Sequence, residues 1–488
     1  MSDAEKNLAD DAGDRPVNER VERQAWYALV LASSTWMIVG LAVTAVNVAF
    51  PAIEHDFAGA SRSTLSWGLT GYSITLATLM LVGGRLADHL GRRRIFRTGL
   101  AVFIVASLAL ALAPSAWVFV AARLGQAVGA ALSGPASLTL VIEKFPASRR
   151  LSAIAMWTGL GTLGAAIGPS FAAIVTQQFG WRWIFVLPLA VTLAAFVLAP
   201  RWLPEGRPSG GPRGQIDVLG SIMGTVGVGM VAVTITEGPR LGWSDPLIVI
   251  CIVGAAVMLP LFVRRSRRHP EPLLDVRLFS TPNFTAVNLV NVGLTAAGTA
   301  SWLLYPLFMV QQWHYSLMRT GLALTPLPII ASITGVFAGR TAERLGTRRV
   351  IAYGALLPAA GLLWQALRLD STPNYLLGLV PGALLFNVGF GIVYAPSTAL
   401  ALRSVDDAQL GQATASLNAF RQLGSGLGVA TVIAIMGNAE VIPIASFHRA
   451  FFATSLMALA AGVVVLTALR VPIEFRPVRS ARLRQVQR

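Results

Sequence analysis

The sequence is poor in cysteine and histidine, the residues that most often build disulfides and metal sites. Its 488 residues include one cysteine and five histidines. A single cysteine, Cys251, excludes an internal disulfide and a cysteine-ligated metal cluster. The histidines lack the spacing of metal ligands or of a catalytic pair, and all of them fall in predicted loops or at helix ends. We therefore predict no metal and no other cofactor.

Charged residues are also scarce, at 13% of the chain, whereas 54% of the residues are hydrophobic. This composition is too apolar for a water-soluble protein of this length. Apolar runs long enough to cross roughly 30 Å of hydrocarbon recur along the chain, and we count fourteen of them. The sequence therefore predicts an all-α integral membrane protein with fourteen transmembrane helices.

Two sequence signatures of nucleotide-dependent enzymes are absent or misplaced. The chain has no GxxxxGK[ST] phosphate loop. The segment at residues 159–164 (GLGTLG) matches the dinucleotide pattern GxGxxG, but it lies inside an apolar helix and follows no strand, so the structural context that this pattern requires is missing. We predict that the protein is not an enzyme.

The net charge of +16 raises the question of nucleic-acid binding. Most of the arginines fall in loops on the side of the membrane shared by both termini, which is the asymmetry typical of cytoplasmic loops. This placement favours a multi-pass protein of a bacterial inner membrane with both termini in the cytoplasm, and no nucleic-acid partner. The basic tail is expected to lie against anionic headgroups.

The distribution of charge, proline and glycine divides the apolar runs into two groups of six and one pair. The predicted order is a disordered cytoplasmic arm at residues 1–26, a six-helix bundle at 27–200, a linker at 201–215, an inserted pair of helices at 216–263, a basic linker at 264–282, a second six-helix bundle at 283–470 and a basic tail at 471–488.

Two basic loops repeat one pattern at equivalent places in the two bundles, at residues 84–94 (GRLADHLGRRR) and 339–349 (GRTAERLGTRR). A glycine lets two helices turn and approach closely, and an acidic residue four positions later can face a helix N-terminus or an arginine. We predict that Asp88 and the loop arginines form a charge network that controls the relative orientation of the bundles. The predicted gating residues are Gly84, Asp88, Gly91, Arg92, Gly339, Glu343, Arg344 and Gly346.

Three further segments lie within predicted helices 1, 4 and 5, namely LAVTAVNVAFP at residues 41–51, RLGQAVG at 123–129 and GAAIGP at 164–169. Together with the repeated loops, they resemble motifs of the major facilitator superfamily, and the helix count resembles its fourteen-helix drug:proton antiporter family. The resemblance implies the major facilitator fold, with two pseudo-symmetric six-helix bundles plus an inserted hairpin. It also implies that Gly164, Gly168 and Pro169 form the antiporter motif, in which paired glycines allow close helix packing.

Polar residues recur at helical spacing on predicted helices 1, 4, 9 and 13. Faces of this kind from both bundles are expected to line a central cavity near the membrane midplane. Hydrogen bonding between helices without a substrate is the alternative for any single residue. The predicted cavity residues are Trp36, Thr44, Asn47, Arg123, Gln126, Asn288, Asn291, Thr295, Trp302, Asn418, Arg421 and Gln422.

The chain departs from the family pattern at Ala42, where an aspartate is usual. We find no other Asp or Glu near the middle of a predicted span, and Glu237 falls at a helix end. The sequence therefore predicts weak or absent proton coupling. It also suggests that Arg123, lacking an acidic partner, would face an anionic or dipolar substrate group, or else bond backbone carbonyls between helices.

These observations favour a monomeric secondary transporter in the lipid bilayer that exports lipophilic or amphipathic small molecules by alternating access, in the manner of multidrug efflux. One alternative is an exporter or flippase of lipids or amphipathic anions with little proton coupling. A second is a membrane scaffold without transport.

Overall fold

The computed structural model describes residues 3–145, 150–205, 217–269, 272, 274, 276–345, 347–403, 405, 410–437 and 441–469. Over these residues the regular structure is helical, and the described part of the chain contains no strand. The prediction of an all-α protein is confirmed.

The first bundle contains six spans, of which the sixth is built from two helices. A proline precedes the second of these two helices, and the missing N–H of proline interrupts the hydrogen-bond ladder. The helices are α1 (Asp3–Asp56), α2 (Arg62–Leu90), α3 (Arg92–Ala111), α4 (Ala116–Lys144), α5 (Arg150–Phe179), α6 (Trp183–Val186) and α7 (Leu189–Trp202).

The inserted hairpin and the second bundle follow. A short 3₁₀ segment, Val276–Ser280, precedes the second bundle, and a π-helical turn, Tyr375–Leu379, precedes its fourth span. The helices are α8 (Val218–Leu241), α9 (Pro246–Arg268), α10 (Pro282–Gln311), α11 (Leu317–Leu324), α12 (Pro326–Leu345), α13 (Thr347–Arg368), α14 (Val380–Arg403), α15 (Leu410–Met436) and α16 (Ile444–Ala468).

Thirteen helical stretches among the described residues are long and apolar enough to cross a membrane. The helix outside this set is α2, which has 29 residues but is rich in serine, threonine and glycine and ends in a charged turn. It packs against α4 of its own bundle and α15 of the other. With α2 included, the described helices supply the fourteen predicted spans.

Some boundaries differ from those expected from the sequence. The helix α1 starts at Asp3, where a disordered arm is predicted over residues 1–26; that stretch contains many alanine, glutamate and arginine residues, along which a helix can propagate from the first span. The helix α9 continues to Arg268, past the predicted end at 263. Most of the linker at 201–215 and the tail at 471–488 lie outside the described residues.

Equivalent helix crossings recur in the two bundles, and glycine makes each of them close. The crossing of α2 with α4 corresponds to that of α12 with α14. A Cβ on Gly83 would overlap the carbonyl oxygen of Ala131, and a Cβ on Gly391 would overlap that of Ala331. The crossings of α1 with α5 and of α10 with α15 correspond in the same way. Small residues at these positions let helix backbones touch in the membrane, and they give the two bundles the same internal architecture.

Candidate functional site

Arg123 is buried inside the first bundle. It lies on α4, and 1% of its surface is exposed. Its Nε donates a 3.0 Å hydrogen bond to the carbonyl oxygen of Gly68 on α2, and its Nη1 donates to the Oε1 of Gln126, one turn along α4. The guanidinium carbon lies 4.1 Å from the centre of the Tyr72 ring. A carbonyl, an amide and an aromatic face therefore stand where an anionic partner was expected.

Gln126 extends this network to a third helix. Its Nε2 donates a 2.8 Å hydrogen bond to the Oγ of Ser107 on α3. Arg123 and Gln126 thus join α2, α3 and α4. The anionic or dipolar substrate group expected at Arg123 stays a prediction, and the buried guanidinium bonds neutral acceptors of its own bundle. This geometry matches the structural alternative stated for Arg123, namely bonds to backbone carbonyls between helices.

Arg421 occupies a more open position on α15, where it is half-buried. Its Nη1 donates to the Oδ1 of Asn418 at 3.1 Å, and its Nη2 donates to the Oγ1 of Thr398 on α14 at 2.5 Å. The guanidinium carbon lies 4.1 Å from the centre of the Tyr394 ring. The Nε is buried and has no hydrogen-bond partner in the described part of the chain. Arg421 therefore keeps a spare donor, whereas the Nε of Arg123 is bonded.

Two asparagines of α10 also carry buried amide atoms. Asn288 and Asn291 are 1% and 2% exposed. The Asn288 Nδ2 donates to the carbonyl oxygen of Phe284, but the Asn288 Oδ1 and the Asn291 Nδ2 have no hydrogen-bond partner among the described residues. Thr295, one turn further along, donates a 2.9 Å hydrogen bond to the backbone oxygen of Arg421. This bond joins α10 to α15 at the level of the arginine.

The polar residues predicted on the first helix lie in the packing of the first bundle. Trp36 stacks on Trp157 of α5, with ring centres 4.9 Å apart. Thr44 is 9% exposed, and its Oγ1 occupies the space where a Cβ on Gly168 would sit. Asn47 is 2% exposed. Trp36 and Thr44 thus serve the contact between α1 and α5.

The remaining predicted cavity residues lie in the second bundle. Trp302 packs edge to face with Tyr305, at 6.5 Å between ring centres. Gln422 is half-buried beside Arg421 on α15. The twelve predicted cavity residues therefore do not form one cluster in the structure. The structure brings Arg123 to Gln126 in one bundle and groups the residues around Arg421 in the other.

The antiporter motif on α5 contacts helices on two sides. A Cβ on Gly164 would overlap a backbone carbonyl of α1, so only glycine allows this approach. On the other side, a Cβ on Gly321 of α11 would lie 2.8 Å from the carbonyl oxygen of Pro169. The hydroxyls of Ser170 and Thr325 form a hydrogen bond across the same contact. The motif thus lies where the two bundles meet.

The hydrogen bonds between the bundles are concentrated toward the end of the molecule that carries the turn between α1 and α2, which we call the distal end. There Arg62 donates to the Oε1 of Glu54 at 2.5 Å and to the carbonyl oxygen of Gly437 at 3.1 Å. Nearer the middle, the hydroxyls of Ser73 on α2 and Ser425 on α15 lie 3.4 Å apart. At the opposite end, Arg85 of α2 donates a 2.5 Å hydrogen bond to the carbonyl oxygen of Pro272, in the linker that precedes the second bundle.

Glu237 is a buried carboxylate near the end of α8, where the sequence predicts it. It lies on α8 within the candidate span Leu219–Gly238, and 8% of its surface is exposed. The Nε1 of Trp67 on α2 donates a 3.1 Å hydrogen bond to its Oε1. The inserted hairpin therefore contacts α2 through an acidic side chain at the end of its first span.

The first basic loop is partly described. Gly91 has a φ of 98°, which a residue with a side chain rarely adopts, and Arg92 pairs with Glu143 at the end of α4. Gly84 faces Pro135 across the contact between α2 and α4. The side chain of Asp88 lies outside the described part of the structure, so its network stays a prediction. The same holds for the second loop, with Gly339, Glu343, Arg344 and Gly346.

The sequence does not identify the aromatic and hydroxyl partners of the two arginines. Tyr72 and Tyr394 both stand in apolar runs, where each one resembles an ordinary core residue. The one local signal is that Thr398 follows Tyr394 by a single helical turn. Sequence spacing marks such a pair as sharing a face, but it does not reveal which helix that face meets.

Comparison with known proteins agrees with this architecture. The family model of the Major Facilitator Superfamily matches residues 32–429 and 287–485 in two overlapping alignments. The puromycin resistance protein of Streptomyces alboniger is 32% identical over 91% of this chain and 90% of its own length. The cephamycin export protein of Amycolatopsis lactamdurans is 30% identical over 84% and 85%. A multidrug resistance protein of Mycobacterium tuberculosis is 30% identical over 80% and 72%.

Solved transporter structures share the fold at low sequence identity. A POT family peptide transporter aligns with a TM-score of 0.67 and 15% identity, over 93% of this chain and 99% of that protein. A D-xylose-proton symporter aligns with a TM-score of 0.66 and 14% identity, over 91% and 97%. The prediction of the family and its fold is therefore confirmed. The chain belongs to the major facilitator superfamily and is similar to the antibiotic and multidrug efflux proteins within it.

Proposed function

We propose that this protein exports lipophilic or amphipathic small molecules by alternating access, with the two bundles rocking about the contacts between them. The observation that carries the proposal is the nature of those contacts. Toward the distal end they are made by small residues, such as Gly321 against Ala173, and by a few polar pairs. Contacts of this kind can separate and re-form without unpacking either bundle, which a rocking mechanism requires.

The relatives support efflux as the direction and antibiotic-like compounds as the substrates. They are named for export of cephamycin and for resistance to puromycin and to several drugs. We propose the bacterial inner membrane as the location, with both termini in the cytoplasm and a monomer as the working unit. In that orientation the distal end faces outward, and the structure corresponds to a state closed toward the outside.

Proton coupling is proposed to be weak. Ala42 lies in a buried apolar cluster and carries no titratable group. Glu237 is the described carboxylate best buried within a span, and it is the residue to test first if a proton does drive transport. The second candidate function, export of amphipathic anions, is favoured by Arg421, which has no described acidic partner and keeps a donor without a described partner.

The direct test is transport in proteoliposomes containing the purified protein, with puromycin as the probe and empty liposomes as the control. We expect saturable puromycin flux that depends on the protein, with a small response to an imposed pH gradient. A folded protein that moves neither puromycin nor an amphipathic anion would favour the scaffold alternative. Strong uphill transport driven by the pH gradient alone would overturn the proposal of weak coupling.

A further inference from the structure

A column of aromatic rings leads along α14 to Arg421. Phe386, Phe390 and Tyr394 are spaced one helical turn apart. Neighbouring ring centres lie 5.9 and 5.4 Å apart, and each pair of rings is inclined by 25°. Tyr394 ends this column beneath the guanidinium group, while Phe390 and Tyr394 are each half-buried. An apolar stacking surface and a positive charge are thus placed end to end.

Arg421 differs from Arg123 in being half-buried and in having a donor without a described partner. Its acceptors, Asn418 and Thr398, are neutral, and the described residues include no carboxylate paired with it. Its Nε is buried without a partner. A carboxylate accepts from a guanidinium more strongly than an amide or a hydroxyl does, because both groups are charged and their geometries match.

Arg421 lies on the helix of the second bundle that packs against α2 of the first. This helix packs against α10, α14 and α16 of its own bundle and against α2 across the interface. One turn beyond Arg421, the hydroxyl of Ser425 meets that of Ser73 on α2. The next residue, Gly426, lies against Thr70 and Ile74 of α2. Arg421 therefore lies one helical turn from a contact between the bundles.

We propose that Arg421, Tyr394 and Phe390 form a binding subsite for an amphipathic anion. The carboxylate of this ligand would bond the guanidinium, and its aromatic body would lie against the ring column. This inference rests on the proposed export function and adds to its substrates compounds that join an aromatic body to an acidic group. It assigns the anion to Arg421, whereas Arg123 keeps a structural role inside the first bundle.

The test uses two probes that differ only in charge, 2-naphthoate and 2-naphthamide, bound to the full chain in nanodiscs, with empty nanodiscs as the blank. We expect 2-naphthoate to bind roughly tenfold more tightly than 2-naphthamide, as a charge-assisted hydrogen bond allows. Arg421→Gln should remove this preference and leave 2-naphthamide affinity within about twofold of its original value. Arg319→Gln is the matched control, because it removes another arginine that covers a tyrosine ring, on the exposed start of α11.

Equal affinity of the two probes for the unaltered protein would overturn the inference, and so would an equal loss for both probes in Arg421→Gln. If thermal unfolding shows that Arg421→Gln does not fold, Arg421→Lys decides: it keeps the charge but loses the planar fork, so 2-naphthoate should bind several-fold more weakly. An unchanged affinity in Arg421→Lys would count against the subsite. Puromycin flux in proteoliposomes is measured in parallel. Puromycin flux without a preference for 2-naphthoate would contradict the binding subsite and leave the proposed export intact. A preference for 2-naphthoate without puromycin flux would contradict the proposed export and leave the binding subsite intact.

Discussion

Two arginines lie within the spans of this protein, and each is covered by a tyrosine ring at 4.1 Å. A guanidinium keeps its proton in the membrane, so its environment must supply acceptors. Arg123 is bonded to groups of its own bundle and is shielded from solvent. Arg421 has neutral acceptors, a spare donor and partial exposure. The two arginines thus differ in how fully the surrounding helices bond and bury them.

Arg123→Leu is expected to destabilise the protein and to weaken all ligands equally. The substitution leaves the Oε1 of Gln126 without its Arg123 donor, at a cost of about 1–3 kcal/mol, and removes the second hydrogen bond of the Gly68 carbonyl, which keeps its helical one. Thermal unfolding of the purified variant and binding of both naphthyl probes measure the two effects. A selective loss of 2-naphthoate, with stability unchanged, would return the anion site to Arg123.

Ala42→Asp is expected to introduce proton coupling. Ala42 shares a buried cluster with Tyr72, whose hydroxyl has no hydrogen-bond partner among the described residues. A carboxylate placed there brings an acceptor for that hydroxyl and a group that can bind and release a proton. We expect a larger response of puromycin flux to an imposed pH gradient than in the unaltered protein, with Ala42→Asn as the uncharged control. An equal response in both variants would show that this carboxylate is not sufficient.

At the scale of helices, α5 has the central position in the contact between the bundles. Its glycines fit against α1 on one side, and Pro169 and Ala173 meet Gly321 of α11 on the other. The antiporter motif therefore works through packing: it fixes the distance between two helices of one bundle while the opposite side of α5 contacts the other bundle.

Gly164→Ala is expected to lower the thermal stability and to impair transport, because the new methyl group would overlap a backbone carbonyl of α1, which cannot move aside as a flexible side chain can. Gly159→Ala on the same helix is the matched control, since no atom lies within 4 Å of the position of its Cβ. We expect Gly159→Ala to be neutral or to stabilise the protein by up to about 1 kcal/mol through higher helix propensity. Equal effects of the two substitutions would contradict close packing of α1 on α5.

The inserted hairpin contacts the first bundle through Glu237 and Trp67, where a proton could influence α2. We expect Glu237→Gln to remove whatever response to a pH gradient the protein has and to preserve downhill flux, because the amide oxygen can still accept from the Trp67 indole. Glu205→Gln is the control, since the Glu205 side chain is 83% exposed. A pH response that survives in Glu237→Gln would exclude this residue as the proton carrier.

At the scale of the whole molecule, the bundles are joined toward the distal end by Arg62, which is 4% exposed and links Glu54 of α1 to the carbonyl of Gly437 at the end of α15. The hydroxyl pair of Ser73 and Ser425 lies closer to the middle. Opening of the distal end requires both contacts to break. Arg62 would then carry a charge into water, which lowers the cost of leaving its partners.

A cross-link between α2 and α15 should stop this movement. The hydroxyls of Ser73 and Ser425 are 3.4 Å apart, so cysteines at both positions are expected to form a disulfide on mild oxidation. Cys251→Ser supplies a background without other thiols. We expect the pair Ser73→Cys and Ser425→Cys to lose puromycin flux on oxidation and to regain it on reduction, while each single variant keeps its flux. Flux that persists in the cross-linked protein would contradict alternating access at this contact.

The sequence alone determined the number and approximate limits of the spans, because membrane insertion depends on the apolarity of about 20 consecutive residues and needs no information from distant parts of the chain. It also determined the family, through short motifs such as the glycines of α5. The close approach of α1 and α5 was predictable for the same reason, since small residues at helical spacing mark a face on which a backbone can pack.

The tertiary structure alone decided what each polar residue faces. The spacing of apolar residues predicts that Arg123 and Arg421 lie on helices. The tyrosines that cover them, Tyr72 and Tyr394, lie on other helices and are too far away in sequence for a local pattern to pair them. The same holds for Glu237, whose burial depends on the contact of α8 with α2. A helix fixes the direction of a side chain about its own axis, whereas the neighbour on that side is chosen by the packing of all the helices together. Packing therefore bonded the Nε of Arg123 inside its bundle and left the Nε of Arg421 without a described partner.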